Sequence, residues 1–413
     1  MPMKMSLFKS GALSSSQFRW FYGGRTISLF GSAMTPVALA FAVLETRHGQ
    51  DLLGGILASE ILPMVLLLLI GGSVADRMRR DRLIQISNLG SGLSQTGMAA
   101  IVLTGASPYW LFPLAIVDGG LGAFASPAMR GIIPEIVDRG MIKEANSLQN
   151  AARSTARVVG PAVAGLLVAG VGGGWGIAID ALSFFLAAAC MSRVHIPSHA
   201  VVDGNSMLQQ MREGWSYFRS RRWIWSITAA FTLMNPIQMG VWQVLGPVIA
   251  RHSFGSVGWG ITLSLKAVGL LVASLAMLRV PLRRPIRATM LAIAFSGIPM
   301  IVLGQGSALP VLMMAALLAG GGSTVSGIAW DTSLQQAVPT KLLSRVCAFD
   351  DFGSYILIPL GEILAVPLGD LFGNRAVATF GGIAFIVIAL LPLLDRSVRQ
   401  MTAENIGHDS PGR

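Results

Sequence analysis

The chain has 413 residues, of which 53% are hydrophobic and 12% are charged, and it carries a net charge of +11. This composition excludes an ordinary water-soluble protein, which could not bury so much apolar surface. The basic residues lie in short clusters between apolar segments, without the interleaved aromatic residues of a nucleic-acid platform, so we expect no nucleic-acid partner. Cys190 and Cys347 form neither a disulfide framework nor a metal-ligand cluster.

Apolar segments separated by charged or glycine-rich breaks predict an all-α integral membrane protein with twelve transmembrane helices. The first span has no convincing cleavage site, so we interpret it as a retained helix and not as a signal peptide. The predicted spans are 18–44, 52–75, 83–104, 109–129, 146–170, 173–192, 223–250, 254–279, 287–305, 308–331, 345–368 and 375–394.

The basic residues between the spans predict the orientation of the chain. With residues at span ends counted with the adjoining connection, 24 of the 31 Lys and Arg residues lie on one side of the predicted spans, three lie on the other, and four lie deeper within spans. Connections rich in Lys and Arg stay in the cytoplasm. We therefore expect both termini to be cytoplasmic.

A polar stretch at 193–222 divides the chain into halves with weak internal similarity at an offset of about 204 residues. In this similarity Arg47-His48-Gly49 corresponds to Arg251-His252-Ser253. Such parallel halves fit a transporter whose two bundles rock about a central site. The predicted organisation is an N-terminal six-helix bundle (1–192), a cytoplasmic linker (193–222), a C-terminal six-helix bundle (223–394) and a cytoplasmic tail (395–413).

A cationic turn, Gly72-Ser73-Val74-Ala75-Asp76-Arg77-Met78-Arg79-Arg80, ends the second span. It resembles the loop between the second and third helices of major facilitator superfamily transporters, although the usual glycine between the arginines is missing. The resemblance extends from about 18 to 394 and implies two pseudo-symmetric six-helix bundles. It also implies that Asp76 contacts span eleven and closes the cytoplasmic side, with Arg345 as a further partner; a solvated turn is the alternative. The implied gating turn comprises Gly72, Asp76, Arg77 and Arg80.

Span five contains Gly160-Pro161 and, four residues later, Gly165. This phrase resembles a motif that accompanies efflux in the same superfamily. Pro161 removes a backbone donor and permits a bend, and the two glycines allow a neighbouring helix to approach closely. The resemblance implies a hinge; ordinary close packing is the alternative.

Four charged residues, Glu60, Asp118, Arg157 and Lys266, lie near the middle of spans. Each costs roughly 2.5–3.5 kcal/mol at a helix centre unless it finds a partner or water. Arg153 and Arg157 share a helix face, so we expect at least one to meet Glu60 or Asp118. The alternatives are fixed salt bridges and a carboxylate that exchanges a proton during transport.

The resemblance also implies which spans line a central cavity, namely one, four, seven and ten. Their polar and aromatic residues become candidate ligand contacts, although each could instead be a packing residue. With weaker acidic candidates on spans six and eleven, the predicted substrate and proton pathway comprises Arg25, Glu60, Asp118, Arg157, Lys266, Asn235, Gln238, Trp242, Trp330, Asp350, Asp351 and Glu362, with Asp180, Gln243, Ser323 and Thr324 as secondary positions.

Short phrases at 126–135 and 335–339 resemble the enterobactin-exporter and macrolide-efflux branch of the superfamily. The resemblance implies a monomeric secondary exporter of an amphipathic siderophore or drug, which works in a bacterial inner membrane by proton antiport and alternating access. No Walker P-loop and no catalytic or metal constellation occurs, so we expect no cofactor, no metal and no enzyme activity. Uptake, lipid flipping and a non-transporting receptor or assembly factor are the alternatives.

The charge asymmetry generates a topological prediction. Single cysteines introduced at Ser206 and Ser307 of a cysteine-free chain should react with impermeant reagents from opposite faces of the membrane, Ser206 from the cytoplasm. Labelling of both positions from outside intact cells would show that the assigned orientation is wrong.

Overall fold

The computed structural model describes residues 11–46, 49–77, 79–138, 141–196, 207–277 and 283–399. These residues are helical almost throughout, and no strand occurs among them. The all-α prediction is confirmed. The chain forms two compact units, Met1–Val202 and Asp203–Arg413. Residues 197–206 of the predicted linker and 400–413 of the predicted tail lie outside the described residues, and the predicted domain boundaries stay a prediction.

The first unit contains six long helices and one short helix. Two 3-10 turns, Ala12–Ser14 and Pro108–Trp110, precede the first and fourth long helices. The Ser15 side chain caps the first helix by accepting a hydrogen bond from the Phe18 backbone N–H (3.3 Å). The helices are α1 (Ser16–Leu44), α2 (Gly49–Arg77), α3 (Arg80–Thr104), α4 (Leu111–Gly131), α5 (Ile133–Ile136), α6 (Ile142–Val171) and α7 (Gly173–Met191).

The second unit begins with an amphipathic helix and continues with six further helical spans, several of them interrupted. A π-helical segment, Met239–Leu245, joins α9 to α10, and a 3-10 turn, Phe295–Gly297, joins α12 to α13. The helices are α8 (Met207–Ser220), α9 (Arg222–Gln238), α10 (Gly246–Arg251), α11 (Gly255–Met277), α12 (Pro285–Ala294), α13 (Ile298–Gly304), α14 (Leu309–Ala337), α15 (Thr340–Tyr355), α16 (Ile358–Phe372), α17 (Asn374–Leu390) and α18 (Arg396–Arg399).

Nine helical segments of the described chain are long and apolar enough to cross a membrane. The other three predicted spans are helical as well, in α3, in α4 and in the segment from α9 to α10. Helix α3 is less apolar because it buries polar side chains, among them Ser91, Ser94 and Gln95. Helices therefore occupy all twelve predicted spans.

Glycines give the two halves the same helix packing. A Cβ atom at Gly119 of α4 would overlap the carbonyl oxygen of Glu60 on α2, and one at Gly320 of α14 would overlap the carbonyl oxygen of Lys266 on α11. Without side chains, the backbones of paired membrane helices can approach this closely. The second and fourth spans are thus paired in the same way in each unit, which supports the internal repeat seen in the sequence.

The connections between the last two spans of each unit are also alike. Gly172 separates α6 from α7 with φ = +91°, and Gly373 separates α16 from α17 with φ = +87°. Glycine adopts these positive φ angles without the steric cost that other residues incur. Both connections can therefore consist of a single residue between consecutive helices.

The α2–α4 contact generates a stability prediction. Gly119→Ala should lower the melting temperature and the folded yield, because the new methyl group overlaps the Glu60 carbonyl; overpacking of this kind costs about 1–3 kcal/mol. Gly122→Ala on the same helix is the matched control, since no atom lies within 4 Å of a Cβ there. Equal melting temperatures of the two purified variants in detergent would contradict the packing argument.

Candidate functional site

The membrane-spanning part of the first unit contains three acidic residues from three helices. Glu60 lies on α2, Asp118 on α4 and Asp180 on α7. Gly119 brings the backbone next to Asp118 against the Glu60 carbonyl, so these two acids are neighbours. All three carboxyl groups are close enough to influence one another electrostatically. They form one acidic cluster, which we define as Glu60, Asp118 and Asp180.

Helix α3 supplies neutral hydrogen-bond donors to this acidic cluster. The Gln95 side-chain amide donates to Asp118 Oδ2 (3.0 Å), and Ser91 interacts with the same carboxyl group. Both donors are buried. The sequence analysis missed Gln95 and Ser91, although their spacing of four residues on one helix face was a signal that could have found them.

Asp180 is held by hydroxyl groups. It is 1% exposed and accepts hydrogen bonds from Thr35 Oγ1 (2.6 Å) and Ser183 Oγ (3.1 Å). Gly31 leaves room for this arrangement, because a Cβ atom there would lie 2.5 Å from Asp180 Oδ1. Asp180, which the sequence placed among the weaker candidates, is thus the anchor of a buried polar contact between α1 and α7.

The expected ion pair between the span-five arginines and these acids is wrong. Arg153 and Arg157 are exposed on α6, and among the described residues neither forms an ion pair with a carboxylate. Arg153 instead interacts by charge repulsion with two other arginines, Arg157 and Arg25. The spacing correctly placed Arg153 and Arg157 on one face, but that face does not meet the acidic cluster.

In the second unit, Lys266 of α11 lies over an aromatic ring. Its amine nitrogen is 5.0 Å from the centroid of Trp242, in the π-helical segment, and Trp242 packs against Trp259 with ring centroids 4.9 Å apart. Cation–π contacts of this kind occur within about 6 Å. The structure therefore brings together two of the predicted pathway residues, Lys266 and Trp242.

A second cluster joins α9 to α14 and α15. Asp350 is buried and accepts hydrogen bonds from Thr228 Oγ1 (2.6 Å) and from Trp330 Nε1 (2.7 Å). Two turns along α9, the Asn235 side chain donates to the Ser354 carbonyl oxygen (2.9 Å). Two predicted ligand contacts, Trp330 and Asn235, thus use their polar groups within the protein.

The remaining pathway residues are scattered over the two units. Gln238 is half-buried at the end of α9, and Asp351 is half-buried on α15. Glu362 is buried on α16. Arg25 is half-buried on α1. None of these four is assigned a substrate contact by the geometry.

The gating turn is described only in part. Gly72, Asp76 and Arg77 belong to the backbone of α2, but their side chains lie outside the described residues. Arg80 forms an ion pair with Glu135 of α5 (2.5 Å). The contact between Asp76 and span eleven stays a prediction.

Arg345, the suggested extra partner of Asp76, forms an ion pair with Glu213 of α8 (2.8 Å). The same helix contacts α15 through Trp215 and Phe349, whose ring centroids are 5.3 Å apart. Tyr217 donates a hydrogen bond to the Ala337 carbonyl oxygen (2.8 Å). The predicted linker thus contains a helix docked on the first turns of span eleven.

The hinge phrase lies within the continuous helix α6. Pro161 is inside this helix, and a Cβ atom at Gly160 would lie 2.6 Å from Ala33 Cβ on α1. Gly165 is buried. Close packing of α6 on α1 is therefore observed, and the hinge stays a prediction.

An open apolar groove of about 390 Å³ runs along α11, α12 and α14 of the second unit, and Val272, Phe295 and Leu318 on its rim are exposed. Its wall includes Gly269, one turn after Lys266, and Gly321 and Gly322, which follow Gly320. This volume is within the range of small-molecule sites. No group of His, Cys, Asp or Glu suited to hold a metal ion occurs in the part of the chain that the structure describes.

Comparison with known proteins identifies the family. The model of the transmembrane secretion effector family (MFS_3) matches residues 9–364. The multidrug efflux pump Tap of Mycolicibacterium fortuitum is 25% identical, over 90% of this chain and 93% of that protein. The staphyloferrin A transporter of Staphylococcus aureus is 22% identical (90% and 94%), and the enterobactin exporter EntS of Salmonella typhi is 23% identical (91% and 91%).

Solved structures of transporters share the fold. The nucleoside transporter NupG aligns with a TM-score of 0.76 at 12% identity, over 92% of this chain and 99% of NupG. The POT family transporter PepTSo aligns with a TM-score of 0.72 at 13% identity, over 93% and 98% of the two chains. The major facilitator fold inferred from the cationic turn is confirmed.

The base of the cationic turn generates a prediction of pH dependence. Burial would raise the pKa of Asp81, but hydrogen bonds from Arg79 (2.7 and 3.2 Å) and from backbone N–H groups hold it below its usual value. A lowered pKa stabilises the fold above the pKa of the unfolded state, about 3.9, and this stabilisation is lost as the pH falls through the folded-state value.

Asp81→Asn should therefore lower the melting temperature at pH 7, and the difference from wild type should shrink as the pH approaches 4. Melting curves of the purified proteins between pH 4 and 8 measure this. Exposed Asp138→Asn is the control, with no expected change. A difference that stayed constant with pH would contradict the ionised form as the stabilising one.

Proposed function

The chain belongs to the transmembrane secretion effector family of the major facilitator superfamily, and from this premise we propose that it exports an amphipathic small molecule in exchange for protons. Members of this family are membrane-embedded transporters of the efflux type. The proposal adds proton antiport, the substrate class and the orientation of the chain in the membrane.

The acidic cluster of the first unit carries the proposal. A carboxyl group that binds and releases a proton during transport must be able to exist in both the neutral and the ionised form. Glu60, Asp118 and Asp180 form no ion pair with Lys or Arg among the described residues. A carboxylate locked to an arginine would stay ionised, because the guanidinium is always charged. These three acids are free of that restriction.

The partners of the acids suit proton exchange. Gln95 and Thr35 donate neutral hydrogen bonds, which help an ionised carboxylate without adding a fixed positive charge. Mutual repulsion within the cluster disfavours several negative charges at once, so one proton binds most easily to a site shared between neighbours. We assign the coupling proton to Glu60 and Asp118, because the backbone next to Asp118 packs against the Glu60 carbonyl and the two carboxyl groups influence one another electrostatically.

Alternating access would use the features named in the sequence. Gly160 allows α6 to pack closely against α1. Pro161 lacks a backbone N–H, so α6 can bend there with the loss of fewer hydrogen bonds. The Asp76 turn would close the cytoplasmic side. The excess of basic residues in alternate connections supports a bacterial inner-membrane location with both termini in the cytoplasm. Nothing in this scheme requires a second copy of the chain.

The names of the relatives indicate which classes of substrate to consider. They include a multidrug efflux pump, a staphyloferrin A transporter and an enterobactin exporter. An open apolar groove together with a few polar and aromatic side chains suits molecules of mixed character. A siderophore or an amphipathic drug is the proposed cargo.

Inverted membrane vesicles with an imposed pH gradient test the proposal. Ethidium, staphyloferrin A and iron-free enterobactin should be screened for accumulation that an uncoupler abolishes. Accumulation insensitive to the uncoupler would contradict proton antiport. Accumulation only in right-side-out vesicles would indicate uptake, and binding without transport would indicate a receptor.

The acidic cluster generates a prediction on coupling. Glu60→Gln and Asp118→Asn should each reduce pH-driven accumulation to the level of vesicles without the protein, yet retain exchange of substrate down its own gradient. The reason is that exchange needs no net proton movement. Exposed Asp138→Asn serves as the matched loss of one carboxylate and should transport normally.

The double variants with Arg157→Gln separate coupling from a structural ion pair. A structural pair would make each single variant fold poorly and would let Arg157→Gln restore the folded yield. We expect no such rescue, because Arg157 forms no ion pair with these acids in the described structure. Uphill accumulation by both single variants would move the coupling site elsewhere.

A further inference from the structure

Lys266 places a positive charge inside a membrane-spanning helix without a negative partner. Among the described residues no carboxylate lies within ion-pair distance of its amine. A lysine at a helix centre costs roughly 2.5–3.5 kcal/mol on insertion scales, and the ring of Trp242 offsets only part of this. The amine has three N–H donors, and no carboxylate among the described residues accepts from it.

The indole N–H of Trp242 also lacks a hydrogen-bond acceptor among the described residues. The side chain is 3% exposed, and its indole Nε1 has no hydrogen-bond partner in the described structure. A buried donor left unsatisfied costs about 1–3 kcal/mol. The charged amine therefore lies over the same indole ring whose N–H is unsatisfied, and neither donor has an acceptor among the described residues.

We propose that Lys266 and Trp242 form the binding site for an anionic group of the transported molecule, so that the substrates are amphipathic organic anions such as carboxylates. The site itself does not depend on transport, but the statement that its ligand is the transported molecule rests on the proposed function. A carboxylate supplies the missing charge to Lys266 and an acceptor to the indole N–H. An aromatic or aliphatic body satisfies the apolar surroundings.

The backbone around the pair is built to hold it in place. Gly320 of α14 lies directly against the carbonyl of Lys266, which fixes the position of the lysine along α11. Trp242 lies in the π-helical segment Met239–Leu245, and such insertions often occur at functional sites because they redirect side chains. Trp259 packs on the ring of Trp242 from the same helix as Lys266. The lysine and the indole are therefore preorganised.

Apolar space is available close to the lysine. The open apolar groove of about 390 Å³ includes Gly269, one turn after Lys266, in its lining. A molecule whose charged group reached Lys266 could extend its apolar body along the seam between α11 and α14. This proximity matches the two parts of an amphipathic anion.

The arginines of the first unit independently favour the same charge class. Arg153 and Arg157 lie one turn apart on an exposed face of α6, Arg25 is half-buried on α1, and in the described chain none of the three forms an ion pair with an acid. Positive charge without compensating acids attracts ligands of negative charge. A transporter of cations would not be expected to concentrate uncompensated arginines in its spans.

Equilibrium binding to the purified full-length protein in detergent tests the site without requiring transport. Radiolabelled 2-naphthoate, 2-naphthamide and 2-naphthylmethylammonium share one aromatic body and differ in charge. Naphthoate should bind tightest, about tenfold or more above the amide, because hydrogen bonds to charged groups contribute about 1.5–3 kcal/mol. Lys266→Gln should abolish this preference, and Lys266→Arg should keep most of it.

The controls separate the site from folding and from the proposed function. Arg287→Gln removes an exposed positive charge from the same unit and should leave binding unchanged. If Lys266→Gln fails to fold, the three ligands on the wild-type protein still test the charge class, and Trp242→Phe, which removes the indole N–H, tests the place of the site by a weaker preference for naphthoate. Equal or weaker binding of naphthoate than of the amide or the ammonium, or no binding of naphthoate, overturns the proposal. Binding that depends on Lys266 without vesicle transport would instead refute the exporter and leave the site standing.

Discussion

In each unit, a glycine of the fourth span lies against the backbone of a charged residue on the second span. Gly119 contacts Glu60 in the first unit, and Gly320 contacts Lys266 in the second. The absence of a side chain allows this approach, and no other residue could replace either glycine without moving a helix. The position of one intramembrane charge in each unit therefore depends on backbone packing, and the remaining polar groups are arranged around those two points.

The two units compensate their charges by different means. The first unit surrounds Asp118 and Asp180 with neutral donors from α1, α3 and α7, such as Gln95 and Thr35. The second unit offers Lys266 an aromatic ring, and it satisfies Asp350 with a threonine and a tryptophan. Because neutral donors leave a carboxyl group able to change its protonation state, the first unit suits proton exchange. Because a ring is a poor substitute for a counter-ion, the second suits the binding of an anion.

The sequence predicted the fold well because membrane spans are long, apolar and bounded by charge. It also singled out Lys266, Glu60 and Asp118 as candidates, since a charge in an apolar segment is conspicuous, and their roles in transport stay predictions. It failed where the direction of a helix face decides the outcome. Helical periodicity placed Arg153 and Arg157 together, but only the packing of α6 shows which way that face points.

Other parts of the site had no clear local signal. The hydroxyl and amide donors of α3 resemble ordinary small polar residues until the structure places Gln95 beside Asp118. The π-helical segment that carries Trp242 depends on one extra residue in a helical turn, which no periodicity of apolar residues reveals. Docking of α8 on α15 through Glu213 and Arg345 depends on a tertiary contact between residues far apart in the sequence.

The charge of the substrate decides how the proposed exchange uses the membrane potential. If one monovalent anion leaves for each proton that enters, both movements transfer positive charge inward, so two elementary charges cross per cycle. Each charge is worth about 2.3 kcal/mol per 100 mV of potential. A monovalent cation exported for one proton would transfer no net charge and would depend on the pH gradient alone. An anion site at Lys266 and Trp242 would therefore let the potential contribute to export, which the acidic cluster by itself could not achieve for a cation at this stoichiometry.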